Sequence, residues 1–175
     1  MERVLKIFCL EDRLADYELT KRQILKHYPS ALFTRAANEA EFLEKIKRGS
    51  YDLILADYNL PGYNGLEALL HAKQHFPTVP FIFLTGTLNS EEKSAAAILK
   101  GAHGYVLKDN IRGLHEHIDG VLERSAVISA EREAARAREQ SRMLKLQKSV
   151  GLLQRAGDFE GKAEIIQLIE QSMSR

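Results

Sequence analysis

The sequence predicts an α/β fold, a doubly wound parallel sheet with helices on both faces and a helical extension behind it. Three observations predict it. Short apolar runs of strand length alternate with stretches of helical spacing along the first two thirds of the chain. Four of those runs stop at a reactive or charged residue: Val4 to Leu10 at Glu11 and Asp12, Leu53 to Ala56 at Asp57, Val79 to Leu84 at Thr85, and Tyr105 to Leu107 at Lys108. In a parallel sheet such ends share one edge, where open α/β sheets build their sites. Beyond Leu122 the chain up to Gln154 has no proline and a single glycine, Gly151, and Glu131 to Arg142 is rich in Ala, Glu and Arg, all good helix formers.

Taken in order, the first strand and the Glu11-Asp12 loop lead into a helix from Asp12 or Arg13 to His27, ended by Tyr28-Pro29-Ser30. Ala31 to Ala36 makes the second strand. Asn38 with Glu41 three residues on has the form of a capping box ahead of Phe42, Leu43 and Ile46, and Gly49 closes that helix. The third strand ends at Asp57, a turn with Pro61 and Gly62 follows, and a helix runs from Gly65 to Phe76, stopped by Pro77. After the Thr85 strand, Asn89 or Ser90 caps a helix to Lys100, with Gly101 as its left-handed end. The last strand reaches Lys108, and Asn110 is the expected cap of the fifth helix.

Asp57 alone could merely cap a turn, and Tyr105 alone could be an ordinary core aromatic. Together with Glu11, Asp12, Thr85 and Lys108 in this order, however, they resemble the receiver domain of two-component response regulators, of the chemotaxis-regulator type. The resemblance covers roughly residues 2 to 125 and implies the flavodoxin-like strand order 2-1-3-4-5. It implies that Asp57 is a phospho-acceptor, that Lys108 and Thr85 contact the phosphoryl group, and that Thr85 and Tyr105 form a switch read on the face of the fourth helix, fifth strand and fifth helix, about Ser90 to Arg124. It further implies a Mg²⁺ cofactor held by Glu11, Asp12, Asp57 and the backbone carbonyl of Asn59, hard oxygen donors of the kind that ion prefers, and a sensor histidine kinase as phosphodonor. Such a protein assists its own phosphorylation and dephosphorylation without being an enzyme in the usual sense. Asn59 and Thr87, two residues beyond Asp57 and Thr85, occupy positions the family uses to set phosphoryl lifetime.

Two features depart from the family pattern. Asp109 follows the lysine where receivers commonly have proline, so a different loop is expected there. The wording around Asp57 and Lys108 is also similar to receivers fused ahead of sensor kinases or cyclases, which keeps an amino-terminal piece of such a hybrid as the alternative; whether the reading frame stops after Arg175 separates the two. From another class, an aspartyl-phosphate phosphatase would need a second aspartate two residues after the nucleophile, and Asn59 stands there. A receiver that has lost phosphorylation and acts as a scaffold is a third reading, opposed by the intact acceptor set.

Composition excludes some classes. The 175 residues carry a net charge of only +1, so no global basic bias points to nucleic acid. Residues 126–175 hold nine basic and seven acidic side chains with interspersed signs, the pattern of a solvated helix rather than a nucleic-acid arm. The single cysteine, Cys9, lies in the first apolar strand and reads as a buried thiol; with no internal disulfide to form, the chain suits a reducing cytoplasm. No apolar run reaches membrane-spanning length, and Met1-Glu2-Arg3 leads straight into a strand rather than a signal peptide. His71 and His75 could clasp a metal but lack a third ligand, and His115 and His117 point to different faces of one helix.

The domain division expected is a receiver at 1–125 and a helical extension at 126–175, in which the fifth helix runs on, breaks near 157–161 and is followed by a short amphipathic helix, Ala163 to Met173. Met143, Leu146, Val150 and Leu153 have the spacing of a short coiled-coil seam, but the register runs back onto Glu139, Arg136 and Arg132, so no continuous coiled coil is supported. Apolar stripes this small do not fold alone, so a homodimer through these helices or through the switch face, or docking of a partner protein, is expected. A faint likeness to the helix around a kinase phosphohistidine fails at Gly157, near where the histidine would stand.

Overall fold

The structure, a computed structural model, describes residues 4–86 and 91–173, the side chains of 91–94 excepted. Among the described residues seven strands are formed: β1 (Lys6–Leu10), β2 (Leu32–Ala36), β3 (Leu53–Asp57), β4 (Asn59–Leu60), β5 (Tyr63–Asn64), β6 (Phe81–Thr85) and β7 (Gly104–Leu107). Five of them make one parallel sheet in the order β2-β1-β3-β6-β7. That is the expected 2-1-3-4-5 order, because β4 and β5 form a separate antiparallel hairpin around the Pro61-Gly62 turn, where Gly62 takes a φ of 71°.

The helices are α1 (Leu14–Leu25), α2 (Glu39–Ile46), α3 (Gly65–His75), α4 (Glu91–Leu99), α5 (Leu114–Arg155) and α6 (Lys162–Met173). Alternate residues of the strands feed two cores. Phe8, Leu10, Ile54, Ala56, Phe81 and Phe83 pack with Phe42 and Ile46 of α2, Ala68, Leu69 and Ala72 of α3, and Ala97 of α4. On the other face Ile7, Cys9, Leu53, Leu55, Ile82, Leu84 and Val106 pack with Tyr17 and Ile24 of α1 and Leu114, Ile118 and Val121 of α5. Both faces are thus covered, as continuous apolar runs require. Cys9 is buried, and burial raises its thiol pKa to about 12.

Local chemistry sets the helix ends. Asn38 accepts from the Glu41 amide at 3.0 Å, and the Glu41 carboxylate reaches back to the Ala37 amide at 3.4 Å, one residue beyond the standard capping box. Asn64 caps α3 through the Leu66 amide at 2.9 Å. Gly65 opens that helix where a Cβ would come within 2.9 Å of both the Phe83 ring and the Tyr58 carbonyl. Gly101 ends α4 with a φ of 95°. The fifth helix departs from expectation: Asn110 does not cap it, because Lys108–Gly113 folds as a 3₁₀ helix in which Asn110 is itself non-helical, and α5 begins only at Leu114. Ile111 is buried by that turn. The expected cap at Asn89 or Ser90 and the position of Thr87 lie outside the described residues.

The chain divides into two compact units, Met1–Ala126 and Val127–Arg175. In the second, Met143, Leu146, Val150 and Leu153 are half-buried, as are Ile166, Ile169 and Met173 of α6, whereas Leu144, Leu152, Phe159, Ile165 and Leu168 are exposed. No helix among the described residues is long and apolar enough to cross a membrane.

His103 joins α4 to the sheet by accepting the Phe81 amide at Nδ1, 3.1 Å away, while its own amide donates to the Phe81 carbonyl at 2.7 Å. Burial, helped by the charges of Lys73 and Arg124, lowers its pKa below the usual histidine value. The folded state therefore resists a proton that the unfolded chain accepts, so this contribution is present above the ordinary pKa and is lost as pH falls through the depressed one. On going from about pH 7.5 to about 5.5, the melting temperature of wild type should fall about 2 °C further than that of His103→Gln, whose amide oxygen can still accept from Phe81. Parallel melting curves over that range check it; equal slopes would remove His103 as the cause.

Candidate functional site

The sheet register brings the polar strand ends to one level. Leu10 stands opposite Ala56, Asp57 opposite Leu84, and Thr85 opposite Leu107, so the residues immediately following or ending these strands meet above the carboxyl edge. There Lys108 Nζ donates to Glu11 Oε2 at 2.7 Å, to Asp57 Oδ2 at 2.7 Å and to Asp16 Oδ2 at 2.9 Å. Glu11, Asp57 and Thr85 are buried, and Lys108, Asp12 and Asp16 are half-buried. An ammonium has three hydrogens to donate, and all three are committed to carboxylates.

These contacts fix the electrostatics of the cluster. Burial works against the Lys108 charge, yet its hydrogen bonds to Asp57, Glu11 and Asp16 prevail and hold its pKa above the usual lysine value. Burial raises the Glu11 pKa in spite of the opposing pull of Lys108. Lys108 is therefore the fixed charge of the site, and its cation is what keeps so many acids together in partial burial.

Two residues not singled out by sequence hold this arrangement. Arg35, at the end of β2, donates through Nε to the Glu11 carbonyl at 3.1 Å and through Nη2 to the Asp12 carbonyl at 2.7 Å, with its guanidinium over the Tyr17 ring. It clamps the backbone of the acid loop without engaging either carboxylate. Asp16, in the first turn of α1, is the third partner of Lys108 and lies 3.5 Å from Arg13 Nη1. A charged residue inside the apolar β2 segment, and an acid one helical turn after Asp12, were the signals available.

Glu11, Asp12 and Asp57 each offer a carboxylate oxygen within 4.8 Å of the others, a group able to hold a metal ion. Three hard oxygens at this spacing fit a small divalent cation in chemistry. The Asn59 amide donates to Asp57 Oδ1 at 3.0 Å, which orients the carboxylate. Tyr105 is half-buried on β7 and its ring meets Tyr58 at 6.0 Å and Phe83 at 6.4 Å between centroids, the former edge-on. Outside the cluster, His71 Nδ1 is engaged with the Tyr63 hydroxyl at 2.9 Å and His75 Nδ1 with the His71 carbonyl at 2.9 Å, so the pair does not converge on a metal. His115 stacks on His27, and His117 is exposed.

Comparison with known proteins matches residues 7–119 to the response regulator receiver domain. The chemotaxis protein CheY-3 of Vibrio cholerae is 29% identical over 112 residues, 60% of this chain and 85% of that protein. Among solved structures, a CheY-like response regulator receiver domain protein from Methanospirillum hungatei superposes with a TM-score of 0.63 at 30% identity, covering 71% of this chain and 98% of that one. The response regulator protein TrrA from Thermotoga maritima, solved in complex with Mg²⁺ and BeF, gives a TM-score of 0.57 at 27% identity, with 67% of this chain and 99% of that one covered. The chain spans only 10% of the length of another relative, the putative two-component response regulator ARR21 of Arabidopsis thaliana, to which it is 38% identical over 64 residues.

If Lys108 is the counter-charge that holds the acids together, Lys108→Ala leaves buried Glu11 and Asp57 facing each other. Breaking an ion cluster of this partial exposure should cost about 1–3 kcal/mol in metal-free buffer. Millimolar Mg²⁺ should then raise the melting temperature of Lys108→Ala more than that of wild type, as the freed carboxylates take up the ion. Equal Mg²⁺ shifts in the two proteins would contradict the competition between ammonium and metal.

Proposed function

The chain belongs to the response regulator receiver domain family, and from that premise we propose that it is a phospho-accepting signalling protein whose acceptor is Asp57. The observation that carries the proposal is the convergence of Glu11, Asp12, Asp57 and Lys108 at the carboxyl edge, with Thr85 ending the neighbouring strand. Glu11, Asp12 and Asp57, with the backbone carbonyl of Asn59, would hold Mg²⁺, and the Mg²⁺-BeF complex of the TrrA relative supports that reading. When bound, the ion neutralises charge between the acceptor and the incoming phosphoryl oxygens.

The rest falls to the chain's own residues. An Asp57 carboxylate oxygen forms the new bond to phosphorus while the bond from phosphorus to the imidazole nitrogen of a sensor kinase phosphohistidine breaks, its electron pair staying on that nitrogen. Asp57 needs no general base, because a carboxylate attacks without losing a proton. Lys108 places its ammonium on one phosphoryl oxygen and Thr85 donates its hydroxyl hydrogen to another, so the charge that develops is met by fixed donors. The same groups serve hydrolysis of the acyl phosphate, so the protein governs its own dephosphorylation without turning over free substrates.

The output follows from Thr85 and Tyr105. Thr85 moves toward the phosphoryl group, Tyr105 turns into the space released, and the α4, β7 and α5 face changes its surface for a partner. Residues 1–125 are the receiver, and 126–175 a helical extension that joins two copies or docks a downstream protein; the exposed Leu144, Leu152, Phe159 and Leu168 support that role. The expected setting is the cytoplasm, with a histidine kinase as phosphodonor.

Incubation with Mg²⁺ and a small phosphodonor such as phosphoramidate should add one phosphoryl group to wild type, seen by intact-protein mass spectrometry, and none to Asp57→Asn. Labelling that persists in Asp57→Asn would sink the assignment. Light-scattering molar mass with and without beryllofluoride tests the extension: a dimer that depends on Asp57 makes it an output device, a constant dimer makes it a permanent joint, and a constant monomer removes self-association.

A further inference from the structure

Lys108 has a partner that the acceptor chemistry does not use. Of its three carboxylates, Glu11 and Asp57 belong to the group that can hold a metal, whereas Asp16 does not. Asp16 is carried on α1, a different element from the strand ends, and is 22% exposed in its side chain against 10% for Asp57 and 5% for Glu11. Its Lys108 contact, at 2.9 Å, is nearly as short as the other two. Arg13 stands 3.5 Å from the same Asp16 oxygen but is itself 70% exposed, so Lys108 is the stronger neighbour.

The count of donors gives this geometry a consequence. Every hydrogen of the Lys108 ammonium is already placed, so a new oxygen ligand must take one away from an existing acceptor. Were Glu11 and Asp57 to turn to a divalent cation and release Lys108, Asp16 would be the carboxylate that remains with it. We infer that Asp16 is a positioning residue that holds Lys108 aside: it favours metal binding by drawing the ammonium off Glu11 and Asp57, and it opposes the phosphoryl state by position, because an Nζ tied to Asp16 on α1 carries its freed hydrogens away from the phosphoryl oxygen. The inference rests on Asp57 being the acceptor. Loss of Asp16 therefore shifts two affinities in opposite directions, weaker for the metal and stronger for the phosphoryl group.

A charge removed at this distance acts through space as well, and with the same two signs, so the test must separate the routes. Through space, the Asp16 charge acts whether or not Lys108 is present. Held through Lys108, the effect vanishes with Lys108, which a double-mutant cycle measures.

Wild type, Asp16→Asn, Lys108→Ala and the double variant are titrated first with Mg²⁺ alone and then with beryllofluoride at saturating Mg²⁺, followed by calorimetry or by tyrosine fluorescence, Tyr58 being adjacent to Asp57. Asp16→Asn should weaken Mg²⁺ binding by about three- to tenfold and strengthen beryllofluoride binding by a similar factor, the size of one charge-assisted contact at partial exposure. On the Lys108→Ala background Asp16→Asn should shift Mg²⁺ binding by less than about twofold. Both affinities moving the same way, neither moving, or the full Mg²⁺ effect surviving without Lys108 would each overturn the inference. Wild type that binds Mg²⁺ but no beryllofluoride would instead bring down the acceptor reading, and the role of Asp16 with it.

Discussion

One ammonium shared among three carboxylates is the interaction on which the rest of this protein depends. Lys108 comes from the end of β7, Glu11 from the end of β1, Asp57 from the end of β3 and Asp16 from α1. No two of these are close in sequence except Glu11 and Asp16, so the cluster exists only when the whole sheet is in register. A slip of one residue in β3 would send Asp57 to the other face of the sheet. The stability of the cluster and the correctness of the fold are therefore one condition, and the apolar strands supply it: β3 and β6 are buried at every position, including their polar ends.

The clamp by Arg35 shows how the fold manages the cost of that cluster. A loop carrying two adjacent acids above a sheet edge repels itself and the third acid beside it. Backbone carbonyls that a helix or strand would satisfy are turned outward there, and Arg35 meets two of them with one planar fork. Its position over the Tyr17 ring screens the guanidinium from water and ties the loop to the α1 side of the core. Of the two acid side chains, Glu11 is left to Lys108. Positive charge thus enters from two directions, with Arg35 on the main chain and Lys108 on the carboxylates.

The sheet, its order and the polar strand ends were legible because they rest on strong, local signals: apolar runs of strand length, turn residues, and a functional group at each run's end. The site's chief residues, Glu11, Asp12, Asp57, Thr85 and Lys108, were legible for the same reason. Asp16 and Arg35 were not, because a single charge in a helix's first turn or inside a strand is ordinarily a solvated side chain, and only the register of β2 beside β1 and of β7 across the sheet turns them inward. The start of α5 lies beyond the Asn110 cap that the sequence predicts for a comparable reason: asparagine is a good cap in isolation, but burial of Ile111 and Leu114 draws the segment after Lys108 into a 3₁₀ turn first. With Asp109 in place of proline, nothing in the local sequence opposes that turn.

The aromatic residues beside the cluster are packed against one another and so constrain any change that starts at Asp57. Tyr58 follows Asp57 directly, Phe83 lies two residues before Thr85, and Tyr105 three before Lys108. Their rings touch in a closed set, with centroids 5.2 Å apart for Tyr58 and Phe83, 6.0 Å for Tyr58 and Tyr105 and 6.4 Å for Phe83 and Tyr105. Gly65 lies against two members of the set, since a Cβ there would strike both the Phe83 ring and the Tyr58 backbone. Close-packed rings do not slide by degrees, so Tyr105 can turn only if its neighbours accept a second packing. If the ring set does have a second packing, a ligand at the strand ends can favour it only by the difference in its affinity for the two arrangements.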